Sequence, residues 1–333
     1  MQMFKAYRLF SVEGAKAPQG RFVQMTEDEL SPGDVLIKVA YSSINYKDAL
    51  AAAGINKIIR SFPRIGGIDL TGRVARSADP RFRAGDPVVV HGFGIGVDAD
   101  GGHSEYARVP ANSVLPLTPG LSLLEAATLG AAGYTAALAL HWMEHNGLRP
   151  DAGDVLVSGA TGGVASVAID ILSGRNYSVT AMTGKTEAQD YLRALGARDI
   201  IDPSVASPTG KPIETARWAG ALDSVGGDVL GWILRTMAPD GVVTSFGNAG
   251  GSDLPASVLP FILRGVRLIG INANSPMDLR KIVWGKLAGE YRPRHLDKIA
   301  DVIAFDELPA AMERMRARQT RGRMVIRMAG EAA

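Results

Sequence analysis

The chain has 333 residues, a length that fits two domains better than one, and 46% of them are hydrophobic, enough for a sizeable core. Its 36 basic and 34 acidic residues nearly cancel, which gives no reason to expect nucleic acid as a partner. The absence of cysteine excludes disulfides, thiolate metal ligands and cysteine nucleophiles. No stretch reaches the ~20 apolar residues that cross a bilayer, and the N-terminus lacks the apolar core of a signal peptide. We therefore expect a cytoplasmic protein without a membrane partner.

The first 125 residues are predicted to be rich in β-strands. Apolar runs at 35–41, 87–90 and 105–109 are separated at short intervals by glycine and proline, and a Ser-Pro-Gly-Asp turn precedes the first run. Short strands separated by such turn residues are typical of β-rich domains.

From about residue 123 the pattern changes to a helix over 124–145 and then to strands that alternate with helices. The strands are predicted at 155–158, 178–182, 200–202, 221–225, 242–246 and 267–271. A helix is expected to begin at Thr186, with Gln189 three residues later, and to end at Gly196. The tail adds a helix over 308–318 and a strand over 323–328.

This alternation indicates an α/β fold with a Rossmann-type, doubly wound parallel sheet. The sheet lies in the middle of the chain, with other segments on both sides. We therefore predict a cofactor domain, residues 126–292, inserted in a β-rich catalytic domain formed by residues 1–125 and 293–333.

A glycine-rich turn follows the first strand of the predicted sheet. It begins at Gly159 and continues into a helix through Gly162, Gly163, Val164, Ala165 and Ser166. Glycines let a pyrophosphate approach bare backbone at a helix N-terminus, and a small third residue lets helix and strand pack closely. The spacing departs from a strict Gly-x-Gly-x-x-Gly, so a small-residue turn without a ligand is the alternative.

The turn after the second strand indicates which dinucleotide binds. About 20 residues beyond the glycines, an Asp or Glu would hold the ribose of NAD. This chain instead has Thr183, Lys185 and Thr186, which suit a 2′-phosphate, so we predict NADPH. Glu187 next to them argues against a phosphate, and a polar loop that only caps the helix is the alternative.

Further cofactor contacts are expected beside strand ends, because open α/β sheets place ligands at their carboxyl edge. The candidates for the nicotinamide are Gly247, Asn248, Ile262, Asn272 and Ala273. Arg323, just past Gly322, is either another cofactor contact or part of a solvated face. His141 and His145 have the spacing of a metal pair but no third ligand, so no metal site is predicted.

Several segments resemble the medium-chain dehydrogenase/reductase superfamily over essentially the whole chain. Zinc-dependent members have Cys and Gly-His-Glu where this chain has Asn45-Tyr46-Lys47-Asp48 and Gly67-Ile68-Asp69. The chain therefore looks like the zinc-free, quinone-oxidoreductase-like branch. Within that branch, residues 43–50, 57–63, 67–72, 79–82 and 259–270 look like the bacterial acrylyl-CoA reductase group. It departs from that group at Ala165, where glycine is usual, and at Lys185, where arginine is usual.

The resemblance implies a GroES-like catalytic domain, a homodimer paired through the strand at 267–271, and NADPH-dependent reduction of acrylyl-CoA to propionyl-CoA. Hydride would attack the β-carbon, and negative charge would develop on the thioester oxygen. Tyr46 is the candidate proton donor, with Asn45 as its hydrogen-bond partner. In the alternative, both residues only contact the nicotinamide, and water supplies the proton.

Coenzyme A carries phosphates that need basic partners. Lys57, Arg60 and Arg64 lie in one loop and are the candidates, with a solvated loop as the alternative. Two rival functions remain open at this point: an NADPH:quinone oxidoreductase and a non-catalytic NADPH-binding protein.

Overall fold

The structure, a computed structural model, describes residues 3–329, which group into two compact units. The first unit holds the described residues up to 131, the segment 274–281 and the chain from 300 onward. The second unit holds residues 132–273 and 282–299.

The first unit is dominated by β-strands. Its elements begin with β1 (Phe4–Phe10), β2 (Gln19–Met25), β3 (Val35–Ser43), α1 (Tyr46–Ala52), β4 (Arg64–Ile65), β5 (Asp69–Ser77), β6 (Pro87–His91), β7 (Tyr106–Val109) and β8 (Val114–Pro116). Strand β3 is central, because all of its residues except Lys38 are buried. Both faces of this strand are therefore covered by the core.

The second unit alternates strands with helices, as predicted. Helix α2 (Leu123–His145) enters it from the first unit, and the elements that follow are β9 (Asp154–Val157), α3 (Gly163–Gly174), β10 (Val179–Met182), α4 (Gln189–Ala194), β11 (Asp199–Ile201), β12 (Trp218–Asp223), α5 (Gly227–Thr236), β13 (Met237–Ser245), α6 (Leu259–Arg264), β14 (Arg267–Gly270), α7 (Met277–Ala288) and α8 (Leu296–Ile299). Its strands are parallel, in the order β11-β10-β9-β12-β13-β14. This is the strand order of a dinucleotide-binding sheet, and it confirms the predicted α/β fold class.

The chain then returns to the first unit through β15 (Ala300–Ala304), α9 (Leu308–Arg316) and β16 (Arg323–Arg327). Within the described residues, β15, β16, β3, β5, β6 and β8 pair in this order in a seven-stranded sheet, and β7 pairs with β3. Strand β16 pairs with the end of β3, opposite Ser43. This register brings β16 beside the start of α1.

The segment 274–281 groups with the first unit, although the sequence analysis placed it in the insert. Arg280 gives a physical reason, because its guanidinium is fully buried and donates to the main-chain oxygen of His91 at 2.6 Å. The domain boundaries derived from the sequence remain a prediction.

Helix α2 differs from the continuous helix that the sequence predicts, because Gly130 breaks it with φ 47° and ψ −147°. The expectation that no segment is long and apolar enough to cross a membrane was wrong for α2. Among the described residues it alone meets that test, by length and composition only, and 89% of its most apolar window is buried inside the fold. Buried core helices commonly have this composition.

The start of the next predicted helix also differs from expectation. Lys185, not Thr186, is the N-cap, and a single 3₁₀ turn precedes α4. The prediction that the helix ends at Gly196 is confirmed, because α4 ends at Ala194 and Gly196 follows its C-cap residue with φ +100°. Glycine adopts this left-handed backbone without steric cost.

Candidate functional site

The glycine-rich turn connects β9 to α3 in the second unit. Gly159 has φ +59°, and a Cβ atom there would lie 2.4 Å from Oγ of Ser224. Gly162 is the N-cap of α3, and Ala165 and Ser166 are buried in the first turns of the helix. Because the first amides of a helix have no intrahelical acceptor, this turn can receive a phosphate.

A buried acid that the sequence analysis missed supports this turn. Asp223, at the end of β12, accepts hydrogen bonds from Oγ of Ser158 at 2.6 Å and from the amide of Gly226 at 2.8 Å. The hydroxyl of Ser158 accepts in turn from the amide of Ser224 at 3.0 Å. Burial raises the pKa of Asp223 above its usual value. An acid inside the predicted strand 221–225 was the signal that would have identified it.

The ends of β13 and β14 line an open pocket of about 490 Å³ in the second unit. Its lining residues are Ser245, Phe246, Gly247, Asn248, Gly270, Ile271 and Asn272. Three predicted nicotinamide contacts, Gly247, Asn248 and Asn272, are therefore together. Ala273 follows the pocket in the chain, and Ile262 lies on α6 with 69% of its surface exposed. Cofactor contact by these residues remains a prediction.

The turn after β10 carries no acid at residues 183–186. Oγ of Thr183 accepts the amide of Lys185 at 3.1 Å, which shapes the turn. Burial lowers the pKa of the Lys185 ammonium. A short polar loop with a lysine and hydroxyl groups offers donors to a phosphate.

Charged and polar side chains form a buried cluster in the first unit, which we call the Asp69 cluster. It consists of Ser43, Asn45, Asp48, Asp69 and Arg323. Strand β3 supplies Ser43, the turn into α1 supplies Asn45, and β5 begins at Asp69. Arg323 begins β16, whose pairing with β3 brings it into the cluster.

Asp48 lies in the first turn of α1 and is buried. Its two carboxylate oxygens accept hydrogen bonds from the main-chain N–H of Asn45 at 2.8 Å and from that of Ile68 at 3.0 Å. Burial, together with the nearby charge of Asp69, raises the pKa of Asp48 to about 7. Neither acid was predicted as a site residue, although Asp48 stands three residues after a helix-capping asparagine.

The predicted substrate-site residues fall into two groups. Tyr46 has 43% of its surface exposed, and Lys57 and Arg60 are exposed as well. Arg64 is different, because its guanidinium donates to Oγ of Ser31 at 3.0 Å and lies 3.5 Å from Oδ1 of Asp100. The Arg64 side chain is therefore engaged within the protein, at the end of the loop that was predicted to bind coenzyme A.

Two family models match the chain. The Alcohol dehydrogenase GroES-like domain matches residues 31–119, and the Zinc-binding dehydrogenase model matches residues 163–288. With the parallel sheet and its glycine-rich turn, these matches define an oxidoreductase of the medium-chain dehydrogenase/reductase class.

Comparison with individual proteins shows which members of this class the chain is similar to. Acrylyl-CoA reductase AcuI of Ruegeria pomeroyi is 38% identical, over 97% of this chain and 99% of AcuI. The YhdH oxidoreductase of Salmonella enterica, solved with NADP, has a TM-score of 0.94 at 38% identity, over 97% of this chain and 99% of YhdH. Bacillus subtilis YhfP, solved with NAD, has a TM-score of 0.95 at 42% identity, over 98% of this chain and 100% of YhfP. The chain belongs to the medium-chain dehydrogenase/reductase family, in the group that contains AcuI and YhdH.

The name of the second family model implies zinc, and the residues present do not fit that ion. Within residues 3–329, no three His, Cys, Asp or Glu side chains are grouped as metal ligands. Oδ2 of Asp69 already accepts the amide of Ala131 at 3.0 Å and lies 3.4 Å from a guanidinium nitrogen of Arg323. A cation beside this acid repels a second one.

Proposed function

We propose that the chain is an NADPH-dependent acrylyl-CoA reductase that forms propionyl-CoA without zinc. The observation that carries this proposal is the match to AcuI over 97% of the chain. The acid-free turn after β10 supports NADPH, and the NADP-bound YhdH relative is consistent with it.

When bound, NADPH supplies the hydride that adds to the β-carbon of the thioester. The protein's task is then to stabilise negative charge on the thioester oxygen and to allow protonation of the α-carbon. Tyr46 is our candidate proton donor, because 43% of its surface is exposed and it is not part of the Asp69 cluster. Asn45 precedes Tyr46 in the chain, and its side-chain amide bonds Asp69 and Arg323.

The coenzyme A phosphates would be bound by Lys57 and Arg60, whose side chains are exposed on one loop. Arg64 would act on this loop indirectly, because its guanidinium contacts Ser31 and Asp100. We further propose a cytoplasmic homodimer that pairs through β14, the edge strand of the second-unit sheet.

Reduction of a quinone is the second candidate function. The name of Bacillus subtilis YhfP, 44% identical over 91% of this chain, assigns that relative provisionally to the quinone oxidoreductases. A quinone accepts hydride without needing a donor to an α-carbon, so Tyr46 would be dispensable in that reaction.

The test is NADPH oxidation by the purified protein with acrylyl-CoA, crotonyl-CoA and a simple quinone in parallel. We expect rapid turnover of acrylyl-CoA and slower turnover of the longer enoyl chain. Turnover of the quinone alone would assign the chain to the quinone reductases. Tight NADPH binding without turnover of any acceptor would indicate a non-catalytic protein.

The same assay with Tyr46→Phe tests the proton donor. We expect turnover of acrylyl-CoA to fall by about 10²–10⁴-fold, since general acid catalysis contributes that much. The matched control is Tyr106→Phe, a half-buried ring on β7 that we expect to leave turnover unchanged. A loss of less than tenfold for Tyr46→Phe would assign protonation to water.

A further inference from the structure

Phe93 has a backbone conformation that a bulky residue rarely adopts. It follows β6 with φ +53°, between Gly92 at +73° and Gly94 at +81°. This left-handed region brings a Cβ atom too close to the following carbonyl oxygen, whereas glycine adopts it without that cost. The chain nevertheless has a phenylalanine here, and 40% of its surface is exposed. Neither the turn nor the core requires this ring, and such strained positions cluster where proteins hold ligands.

A buried arginine holds the ring in place. The guanidinium carbon of Arg280 lies 4.1 Å from the centroid of the Phe93 ring, close enough for a cation–π attraction. Arg280 is itself fixed, because its guanidinium donates to the main-chain oxygens of Ser275 at 3.0 Å and His91 at 2.6 Å. None of the surface of Arg280 is exposed. Phe93 is therefore an exposed ring on a rigid support.

The backbone of this loop is fitted closely to the same support. A Cβ atom at Gly92 would lie 2.5 Å from Oδ1 of Asn274 and 2.9 Å from Nη2 of Arg280. The same Oδ1 accepts a long hydrogen bond from the main-chain N–H of Phe93, at 3.4 Å. The direction of the ring is therefore set by the main chain as well as by the guanidinium.

The loop of Phe93 and the first turn of α1 lie on either side of one residue, Ile68. The main-chain N–H of Ile68 donates to Oδ1 of Asp48 at 3.0 Å, and its main-chain oxygen accepts the N–H of Gly92 at 3.0 Å. Tyr46 begins α1, and Phe93 follows Gly92. Two exposed aromatic side chains, Tyr46 at 43% and Phe93 at 40%, therefore stand on neighbouring segments of the first unit.

We propose that Phe93 determines the length of the acyl chain that the enzyme accepts. The inference rests on the proposed function, in which Tyr46 protonates the α-carbon of the thioester. The ring of Phe93 would then close the space beyond the β-carbon. Acrylyl-CoA ends at that carbon, whereas crotonyl-CoA carries a further methyl group on it. A rigid support keeps the ring from moving aside, so the extra methyl group overpacks the site.

The test is the ratio of kcat/KM for acrylyl-CoA to kcat/KM for crotonyl-CoA, measured with NADPH in wild type and in Phe93→Ala. One methyl group in an apolar pocket changes kcat/KM by about 10–200-fold, so wild type should prefer acrylyl-CoA by roughly that factor. Phe93→Ala should lower the ratio by at least about tenfold, by raising kcat/KM for crotonyl-CoA. Because the same folded molecules reduce both substrates, a loss of folded protein cancels in the ratio.

Phe10→Ala is the matched control, because Phe10 is a half-buried ring on β1 that lies 4.2 Å from the guanidinium carbon of Arg21. This variant should keep the wild-type ratio. NADPH binding, measured by fluorescence, is the second readout and should change less than about twofold in either variant. Weaker NADPH binding by Phe93→Ala, in step with its loss of turnover, would assign the ring to the cofactor and overturn the proposal.

Two further results would overturn it: a ratio in Phe93→Ala within about twofold of wild type, and a ratio that falls only because acrylyl-CoA turnover is lost. Circular dichroism checks the fold of each variant. If Phe93→Ala does not fold, Phe93→Leu decides, and its smaller side chain should still lower the ratio by about threefold or more. Failure of the proposed function looks different, because wild type would then not reduce acrylyl-CoA at all.

Discussion

Burial sets the charge of individual residues in the Asp69 cluster. Asp48 is buried and lies near the charge of Asp69, so its pKa rises from 3.8 to about 7. Burial also lowers the pKa of the Arg323 guanidinium, against the opposing effect of Asp69. When Asp48 carries a proton, no second carboxylate charge lies beside the ion pair between Asp69 and Arg323.

This shift predicts how stability depends on pH. The pKa of Asp48 is higher in the folded protein than in the unfolded chain, so its contribution is full below pH 4 and is lost as the pH rises to about 7. The loss is on the order of a few kcal/mol. The Asp48→Asn variant has no ionisable group at this position. The free energy of unfolding of wild type, measured relative to that variant, should therefore fall between about pH 4 and 7 and then level off.

Urea unfolding at several pH values measures this difference. Asp253→Asn, at an exposed position, is the control and should run parallel to wild type. A difference between wild type and Asp48→Asn that stays constant over this pH range would show that the pKa of Asp48 is not raised by folding.

The residues of the cluster also mark what sequence can and cannot predict. Asn45 was identified because it stands in a local motif. Asp69 and Arg323 are 254 positions apart and meet only through the pairing of β16 with β3, so no local pattern links them. Arg64 was interpreted as a ligand for phosphate because its contacts with Ser31 and Asp100 are invisible in the sequence.

At the scale of elements, strand alternation was the most informative pattern. Every strand predicted for the cofactor sheet has a counterpart in β9 to β14, because buried parallel strands need continuous apolar runs. The break at Gly130 was not predictable, since alanine-rich sequence on both sides favours a continuous helix. Distant groups restrict this position to glycine, because a Cβ atom there would lie 2.5 Å from Oδ2 of Asp69 and 2.9 Å from Nη2 of Arg323.

The turn after β10 predicts the choice between NADPH and NADH. We propose that the Lys185 cation faces the 2′-phosphate, so Lys185→Ala should weaken NADPH binding by about tenfold, or 1.4 kcal/mol. NADH binding should stay within about twofold, because NADH has no such phosphate. The test bears on the relatives too, since YhdH was solved with NADP and YhfP with NAD.

Dissociation constants for both cofactors, measured by fluorescence titration, check this prediction. Lys185→Arg should retain the preference, and Lys211→Ala, at an exposed position elsewhere in the second unit, should change neither constant. Equal weakening of NADPH and NADH by Lys185→Ala would mean that the lysine does not recognise the 2′-phosphate.

At the scale of the whole molecule, β14 is one of the two edge strands of the second-unit sheet. Strand β14 pairs only with β13, and an open edge readily adds a strand from another chain. Apolar side chains are exposed just before it, with Val258 at 63%, Ile262 at 69% and Leu263 at 65%. Exposed apolar groups beside an unpaired strand favour association between two copies.

The proposed homodimer can therefore be broken at one residue. Leu263→Glu places a charge among these apolar side chains, and a buried unpaired charge is costly, so we expect the variant to be monomeric at 35.1 kDa. Wild type should have roughly twice that mass by light scattering after gel filtration. Val205→Glu, which changes an apolar side chain with 44% exposure just after the opposite edge strand, should leave the dimer intact. A wild-type monomer would reject the dimer, and a Leu263→Glu dimer would place the interface elsewhere.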